Sequence, residues 1–271
     1  MKTPRWKRWL KVSLIVYGLT GILLYTFQEI ILFRNVSLEK QQDWAFKRPF
    51  REVNLAYTEH SNINIVQFLP TNVDSIRRGV VLYLHGNRKN IGWYEQYAEP
   101  FTSSGHELWI VDYPGYGKST GERSEENLYA YADQLYKLAR VRFPEDSIII
   151  YGKSLGTGIA TWLAARRPCR KLILETPYYS LPSIIDSWAP IYPTERMMRF
   201  KIPTYEYITQ VKAPITIFHG TGDWTVPYRN AYRLAQLLKT GDQFITLDGG
   251  AHNDLYTFPL CRQALDSLLK N

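Results

Sequence analysis

The sequence predicts an α/β fold in which a mostly parallel β-sheet is covered by helices on both faces. Continuous apolar runs, typical of buried strands, alternate with helical stretches from residue 79 onward. Such an alternation builds a parallel sheet, because each crossover helix returns the chain to the same end of the sheet. The predicted strands are 79–84, 108–111, 148–151, 171–175, 215–218 and 244–247, and the predicted helices are 91–103, 125–143, 159–165, 228–239 and 255–269.

Polar residues follow these predicted strands directly. The carboxyl ends of the strands are where open α/β sheets bind ligands, so these residues are candidates for a shared site. They are His85-Gly86-Asn87, Asp112, Ser154, Asp223 and His252.

The first 34 residues are interpreted as a basic tail followed by a membrane anchor. Residues 12–33 are apolar over about the 20 residues that a spanning helix needs. Glu29 lies near one end of this run, where it would reach the interface, and Trp6 and Trp9 fit an interfacial belt. Two alternatives stay open: a cleaved signal peptide, although no A-x-A-like site follows, and a helix docked on the domain.

The distribution of charge predicts the orientation of the anchor. The basic tail should stay in the cytoplasm by the positive-inside rule, which places the domain outside the cytoplasm. The basic residues on the other flank weaken this preference; they are Arg34, Lys40, Lys47 and Arg48.

The remaining chain divides into a connector and one domain. Residues 35–52 form the predicted connector, and residues 53–271 form the domain. The domain begins with an antiparallel hairpin at the sheet edge, 53–57 and 63–68, where polar and apolar residues alternate. Residues 176–212 are rich in proline and aromatic residues and longer than an ordinary connection. We interpret them as a short lid over the site, with a solvent loop as the alternative.

Composition excludes several functional classes. The net charge is +8, but five of these charges lie in the first eleven residues, and no basic stripe interleaved with aromatic residues follows. Nucleic-acid binding is therefore not expected. Cys169 and Cys261 are the two cysteines, and they form no C-x-x-C motif. The five histidines show no metal-ligand spacing, so neither a metal nor an organic cofactor is predicted.

The chain around Ser154 carries the strongest chemical signal. The sequence Gly152-Lys153-Ser154-Leu155-Gly156 joins a predicted buried strand to a predicted helix. In a G-x-S-x-G turn of this kind, a strained serine projects its hydroxyl from the sheet edge. The glycines are needed because a Cβ there would collide with neighbouring elements.

A serine hydroxyl is a poor nucleophile at neutral pH, so it needs a base that a third group orients. His252 and Asp223 each follow a predicted strand, with glycines close by. They are therefore the predicted base and orienting acid. Other acids fit less well, because Asp248 and Asp254 lie too near His252 and Asp112 precedes the serine. His85 and His219 each directly precede a glycine turn, which favours a role in holding a loop.

An oxyanion needs two amide donors. Leu155 should supply one, since it follows the nucleophile at a helix N-terminus. The second should come from the loop after the first parallel strand, with Asn87 as the first choice and Arg88 as the second.

The segments LYLHGN, DYPGYGKSTGE, GKSLG, HGTGDWTVP and GGAHND resemble the α/β-hydrolase superfamily, and more narrowly its membrane-anchored Bem46-like serine hydrolases and the related acyl-protein depalmitoylases. The resemblance implies an α/β-hydrolase fold, a Ser154–Asp223–His252 triad and an oxyanion hole at Asn87 and Leu155. The chain departs from the group at Arg88-Lys89, where small residues are usual. It departs again at Pro114, where a basic residue is common, and it lacks the N-terminal cysteine cluster of the depalmitoylases.

The predicted function is that of a membrane-anchored serine hydrolase, which cleaves small acyl esters or thioesters through an acyl-enzyme. One alternative is a serine peptidase of the same fold, and another is a catalytically silent anchored binding protein. The sequence leaves the oligomeric state open.

Overall fold

The computed structural model describes residues 4–71 and 78–270. The first three residues of the predicted tail and the last residue of the predicted domain lie outside the described residues. The helices are α1 (Arg5–Leu32), α2 (Ile91–Tyr94), α3 (Glu99–Ser103), α4 (Glu125–Arg140), α5 (Leu155–Arg166), α6 (Leu181–Trp188), α7 (Thr194–Met197), α8 (Thr204–Ile208), α9 (Tyr228–Tyr232) and α10 (Pro259–Lys270). The strands are β1 (Arg34–Asn35), β2 (Phe50–Thr58), β3 (Ser61–Phe68), β4 (Gly79–Leu84), β5 (Arg88–Lys89), β6 (His106–Val111), β7 (Ile148–Lys153), β8 (Lys171–Glu175), β9 (Ile215–Gly220) and β10 (Gln243–Leu247).

Eight strands form the central sheet, in the order β10-β9-β8-β7-β4-β6-β3-β2. Strands β4 and β6 to β10 pair in parallel, whereas β3 is antiparallel to both β2 and β6. The hairpin predicted at the sheet edge is therefore confirmed, with β2 as the outermost strand. All carboxyl ends of the parallel strands meet at one edge, which is where the predicted polar residues gather.

Both faces of the sheet are buried. Along β7, Ile148 and Ile150 belong to one apolar cluster, while Ile149 and Tyr151 belong to the other. Successive side chains of a strand point to opposite faces, so a continuous apolar run is needed where helices cover both sides. Helices α4, α5 and α8 pack on the first face, and α2, α3 and α10 pack on the second. The predicted fold class is confirmed.

Four predicted helices are shorter than expected or interrupted. The helix predicted over 91–103 is divided into α2, a 3₁₀ turn and α3, and the helix predicted over 125–143 ends at Arg140. The helix predicted over 228–239 is α9 followed by a 3₁₀ turn at Arg233–Leu237. The helix predicted from residue 255 begins as a 3₁₀ turn and becomes α-helical only at Pro259, which occupies the first position of α10. Proline favours that position because its missing N–H has no helical partner there.

Helix α1 is apolar, 28 residues long and mostly exposed, which makes it a candidate membrane span by length and composition. From Tyr17 onward, this helix lies along the predicted lid. Tyr17 stacks on Tyr192 with ring centroids 4.7 Å apart, and Gln28 accepts a hydrogen bond from the Arg199 amide at 2.7 Å. The helix thus has a docked half and a projecting half, so it combines features of the anchor and of the docked helix.

The segment between α1 and the hairpin does more than connect them. Strand β1 pairs in parallel with β5, and Trp44 and Phe46 pack against the second apolar cluster. This pairing fixes the end of α1 beside the loop that follows β4.

Candidate active site

Ser154 stands at a sharp turn between β7 and α5. Its φ angle is +50°, a conformation that costs a non-glycine residue about 1–3 kcal/mol and therefore requires support from the surroundings. A Cβ on Gly156 would lie 1.9 Å from the Leu84 carbonyl oxygen, and one on Gly152 would lie 2.7 Å from the Cβ of Ala160. Both glycines of the motif are thus required by close packing, as the sequence predicted.

The structure brings Ser154, His252 and Asp223 together at the carboxyl edge of the sheet. The Ser154 hydroxyl donates to Nε2 of His252 at 2.9 Å, and Nδ1 of His252 donates to Oδ2 of Asp223 at 2.7 Å. The Asp223 side chain is fully buried and the His252 side chain is 13% exposed. These three groups form a continuous chain of hydrogen bonds that could pass a proton from the hydroxyl to the imidazole.

The turn after β9 holds Asp223 in an ionised form. Its Oδ1 accepts hydrogen bonds from the amides of Thr225 and Val226, at 2.8 and 2.9 Å. Burial favours the neutral acid, but the hydrogen bond and charge of His252, together with the Val226 amide, outweigh it and lower the pKa of Asp223. Asp223 therefore presents a carboxylate to the imidazole at neutral pH.

Two other buried histidines hold loops, as expected. Nε2 of His219 donates to the Val226 carbonyl at 3.0 Å, and burial lowers the pKa of His219 to about 4, so this ring is neutral. Nδ1 of His85 donates to the Gly86 carbonyl at 2.7 Å. Neither ring contacts Ser154.

Asp112 braces the loop after β4. Its Oδ1 accepts a hydrogen bond from the Ile91 amide at 3.0 Å and lies 3.4 Å from Nε2 of His85. Complete burial raises the pKa of Asp112. Asp112 is thus separate from the His252 relay, in agreement with its predicted role in ordering loops.

The two predicted oxyanion donors line the same cavity as the serine. Leu155 is the first residue of α5, so its amide has no acceptor within that helix. Asn87 turns its side chain away and donates to the Leu32 carbonyl at 2.9 Å, while its own carbonyl accepts from the Arg34 amide. The side chain of Asn87 therefore ties the loop to α1, and its backbone amide stays the predicted oxyanion donor.

A buried ion pair directly before Ser154 escaped the sequence analysis. Lys153 contacts Glu175, and both side chains are at most 3% exposed. Tyr151 donates to the other carboxylate oxygen of Glu175 at 2.6 Å. Lys153 and Glu175 are register partners at the ends of β7 and β8. Their positions at the ends of successive predicted parallel strands were the signal that could have revealed the pair.

The serine opens into a cavity of about 390 Å³. The lid lines one side of this cavity with Leu181, Ile184, Ile185 and Trp188, and the end of α1 adds Ile31 and Leu32. Residues of α6 therefore line the cavity that holds the serine, and a lid over residues 176–212 stays a prediction. Among the described residues that line the cavity, the charged ones are Arg34, Arg88 and Lys153.

No group of three or more histidine, cysteine, aspartate or glutamate side chains suited to a metal ion occurs within residues 4–71 and 78–270. Both cysteines are free thiols.

Comparison with known proteins agrees with this architecture. The family model described as "Serine aminopeptidase, S33" matches residues 75–206. The mouse alpha/beta hydrolase domain-containing protein 17C is 26% identical over 230 residues, which cover 82% of this chain and 69% of that protein. The chain has the α/β-hydrolase fold and is similar to an α/β-hydrolase domain-containing protein over most of its length, which supports a hydrolase of the α/β fold.

Solved structures share the same fold at low sequence identity. An esterase of Pyrococcus furiosus superposes with a TM-score of 0.66 at 16% identity, covering 88% of this chain and 97% of that one. The thioesterase domain from the curacin biosynthetic pathway superposes with a TM-score of 0.61 at 15% identity, covering 83% of this chain and 100% of that domain.

Proposed function

We propose that the protein is a membrane-anchored serine hydrolase that cleaves carboxylic esters or thioesters through an acyl-enzyme. The observation that carries this proposal is the chain of hydrogen bonds from Ser154 through His252 to Asp223, at the mouth of a largely apolar cavity. The presence of an esterase and a thioesterase among the structural neighbours supports the same chemistry.

In the first half of the reaction, the Ser154 oxygen attacks the acyl carbonyl while Nε2 of His252 takes the hydroxyl proton. Asp223 stabilises the imidazolium that results and keeps the ring in the required tautomer. The amides of Leu155 and Asn87 donate to the oxyanion. The imidazolium then gives its proton to the leaving alcohol or thiol, and the acyl group stays on Ser154.

In the second half, water enters and His252 removes one of its protons as the oxygen attacks the acyl-enzyme. The same two amides hold the second oxyanion. Its collapse breaks the bond to the Ser154 oxygen, which recovers its proton from His252. The products are a carboxylic acid and the alcohol or thiol, and the enzyme returns to its starting state.

A serine peptidase is the second candidate, because the matching family model carries the name of an aminopeptidase. An aminopeptidase must hold the protonated α-amine of its substrate, for which carboxylates are the usual partners. The described residues that line the cavity include cations but no carboxylate. The charge of the cavity thus favours ester or thioester substrates over peptides with a free N-terminus.

Helix α1 is proposed to anchor the protein with its basic N-terminus in the cytoplasm and the catalytic domain on the other side. The projecting half of the helix carries exposed apolar side chains, and the lid beside the docked half exposes Trp188 and Ile191. Both features suit contact with a bilayer, so the lid would lie at the membrane surface. Protease protection in sealed vesicles tests the orientation; digestion of the domain from the cytoplasmic side contradicts it.

The catalytic proposal is tested by comparing Ser154→Ala with Ser103→Ala, which removes an exposed hydroxyl on α3. Hydrolysis of p-nitrophenyl esters by the full chain in neutral detergent should fall at least about 10⁴-fold in Ser154→Ala, because no other nucleophile replaces the serine. Ser103→Ala should keep the wild-type rate. Retained turnover by Ser154→Ala, or an inert wild-type protein that only binds the esters, would contradict the proposal.

A further inference from the structure

Two arginines stand side by side at the mouth of the catalytic cavity. Arg34 lies two residues beyond the end of α1, and Arg88 lies in the loop that carries the proposed oxyanion donor Asn87. The two are register partners in the short parallel pair β1–β5, and both line the cavity that holds Ser154. Parallel register partners sit about 4.8 Å apart and point to the same side, so the two positive side chains share one surface.

Neither arginine has a carboxylate partner among the described residues, although neighbouring cations do. Arg123 and Arg199 both pair with Glu29 near the end of α1, while Arg34 and Arg88 form no ion pair in the described part of the chain. Two like charges placed opposite each other on paired strands repel. A bound anion would relieve this repulsion and satisfy both guanidinium groups at once.

The cavity is also lined by a neutralised lysine and by apolar side chains of the predicted lid. Glu175 neutralises the charge of Lys153, so Lys153 offers a ligand no uncompensated positive charge. Leu181, Ile184 and Trp188 of the predicted lid form an apolar wall of the same cavity. The cavity that holds Ser154 therefore combines apolar side chains with two positive charges that have no carboxylate partner among the described residues.

We propose that this site takes acyl esters or thioesters whose leaving group carries a phosphate or another anionic group. The apolar wall would hold the acyl chain, and Arg34 and Arg88 would hold the anion. This inference rests on the proposed function, and it adds the charge of the substrate. Because β1 follows α1 directly, the two arginines lie where the proposed anchor meets the domain, which is also where the headgroup of a lipid substrate would arrive.

The test compares substrates that share one acyl chain. Oleate release by the full chain is measured in neutral detergent micelles from 1-oleoyl lysophosphatidic acid, 1-oleoylglycerol and oleoyl-coenzyme A. The first substrate carries a phosphate close to the ester, the second is neutral, and the third carries its phosphates on a soluble carrier. The use of neutral micelles removes other anionic lipids, so any preference reflects the substrate itself.

The wild type should prefer lysophosphatidic acid over the neutral ester by about tenfold or more in kcat/KM, since each charge-assisted contact is worth roughly this factor. In Arg34→Gln/Arg88→Gln this ratio should fall toward one, while Arg34→Lys/Arg88→Lys should keep part of it. Added salt should reduce the ratio in the wild type only. Lys89→Gln removes an adjacent charge that sits over Trp93 and does not line the cavity, so it should keep the wild-type ratio.

A preference for oleoyl-coenzyme A alone, lost in the double Gln variant, would support the anion site and assign a soluble source. A wild-type ratio near one, or an equal loss in Lys89→Gln, would overturn the proposal. In each of these cases the neutral ester is still hydrolysed, whereas failure of the proposed function abolishes hydrolysis of all three substrates.

Discussion

We expect a large loss of stability when one partner of the buried ion pair Lys153–Glu175 loses its charge. Glu175→Gln keeps the shape of the side chain but removes its charge, which leaves the Lys153 ammonium buried without a counter-ion. Both side chains are at most 3% exposed, so water cannot replace the lost partner. Breaking a buried pair on one side typically costs about 3–5 kcal/mol.

For a chain of this size, each kcal/mol lowers Tm by roughly 2–4 °C, so Glu175→Gln should unfold about 6–20 °C below the wild type. Tryptophan fluorescence during heating in neutral detergent gives this Tm. The double variant Lys153→Met/Glu175→Gln removes both charges and should recover most of the loss, because replacing a whole buried pair is often close to neutral. A Tm of Glu175→Gln within about 2 °C of the wild type would refute the reasoning.

Three further predictions follow from the structure. Burial lowers the pKa of His106 and His219 to about 4, so their contribution to stability is present above pH 6.5 and is lost as the pH falls toward 4. The free energy of unfolding, measured with urea, should therefore fall by about 2 kcal/mol less in His106→Gln than in the wild type between pH 7 and pH 5. An equal fall in the two proteins would contradict this. Gly156→Ala forces a Cβ against the Leu84 carbonyl and should abolish ester hydrolysis, whereas full activity would show that the elbow can shift. In the full chain inserted in vesicles, Trp188→Ser should reduce the quenching of tryptophan fluorescence by brominated lipids, because Trp188 is exposed on the lid, and equal quenching would remove the lid from the membrane surface.

The fold was predictable because its signals are local. Each buried strand is a short apolar run. The turn at Ser154 is recognised from five consecutive residues, which include the two glycines that its close packing requires. The residues Asp223 and His252 were also predictable, since each follows a strand and the carboxyl ends of parallel strands converge.

The features that escaped prediction depend on contacts between distant segments. The pair Lys153–Glu175 arises from the register of β7 against β8, which no single stretch of sequence contains. Gln28 is a polar residue within the apolar run of α1, and its hydrogen bond from the Arg199 amide, which docks α1 on residues 192–199, joins segments 171 residues apart. The pairing of Arg34 with Arg88 likewise depends on the β1–β5 contact.

The most direct test of the proposed chemistry is to map the adduct formed with a fluorophosphonate probe. The full chain in neutral detergent is treated with the probe, digested and analysed by mass spectrometry. We expect one adduct per chain, on the peptide that contains Ser154, and its loss when His252 is replaced by alanine. An adduct on a different residue, or no adduct on a folded wild-type protein, would contradict the proposed role of Ser154.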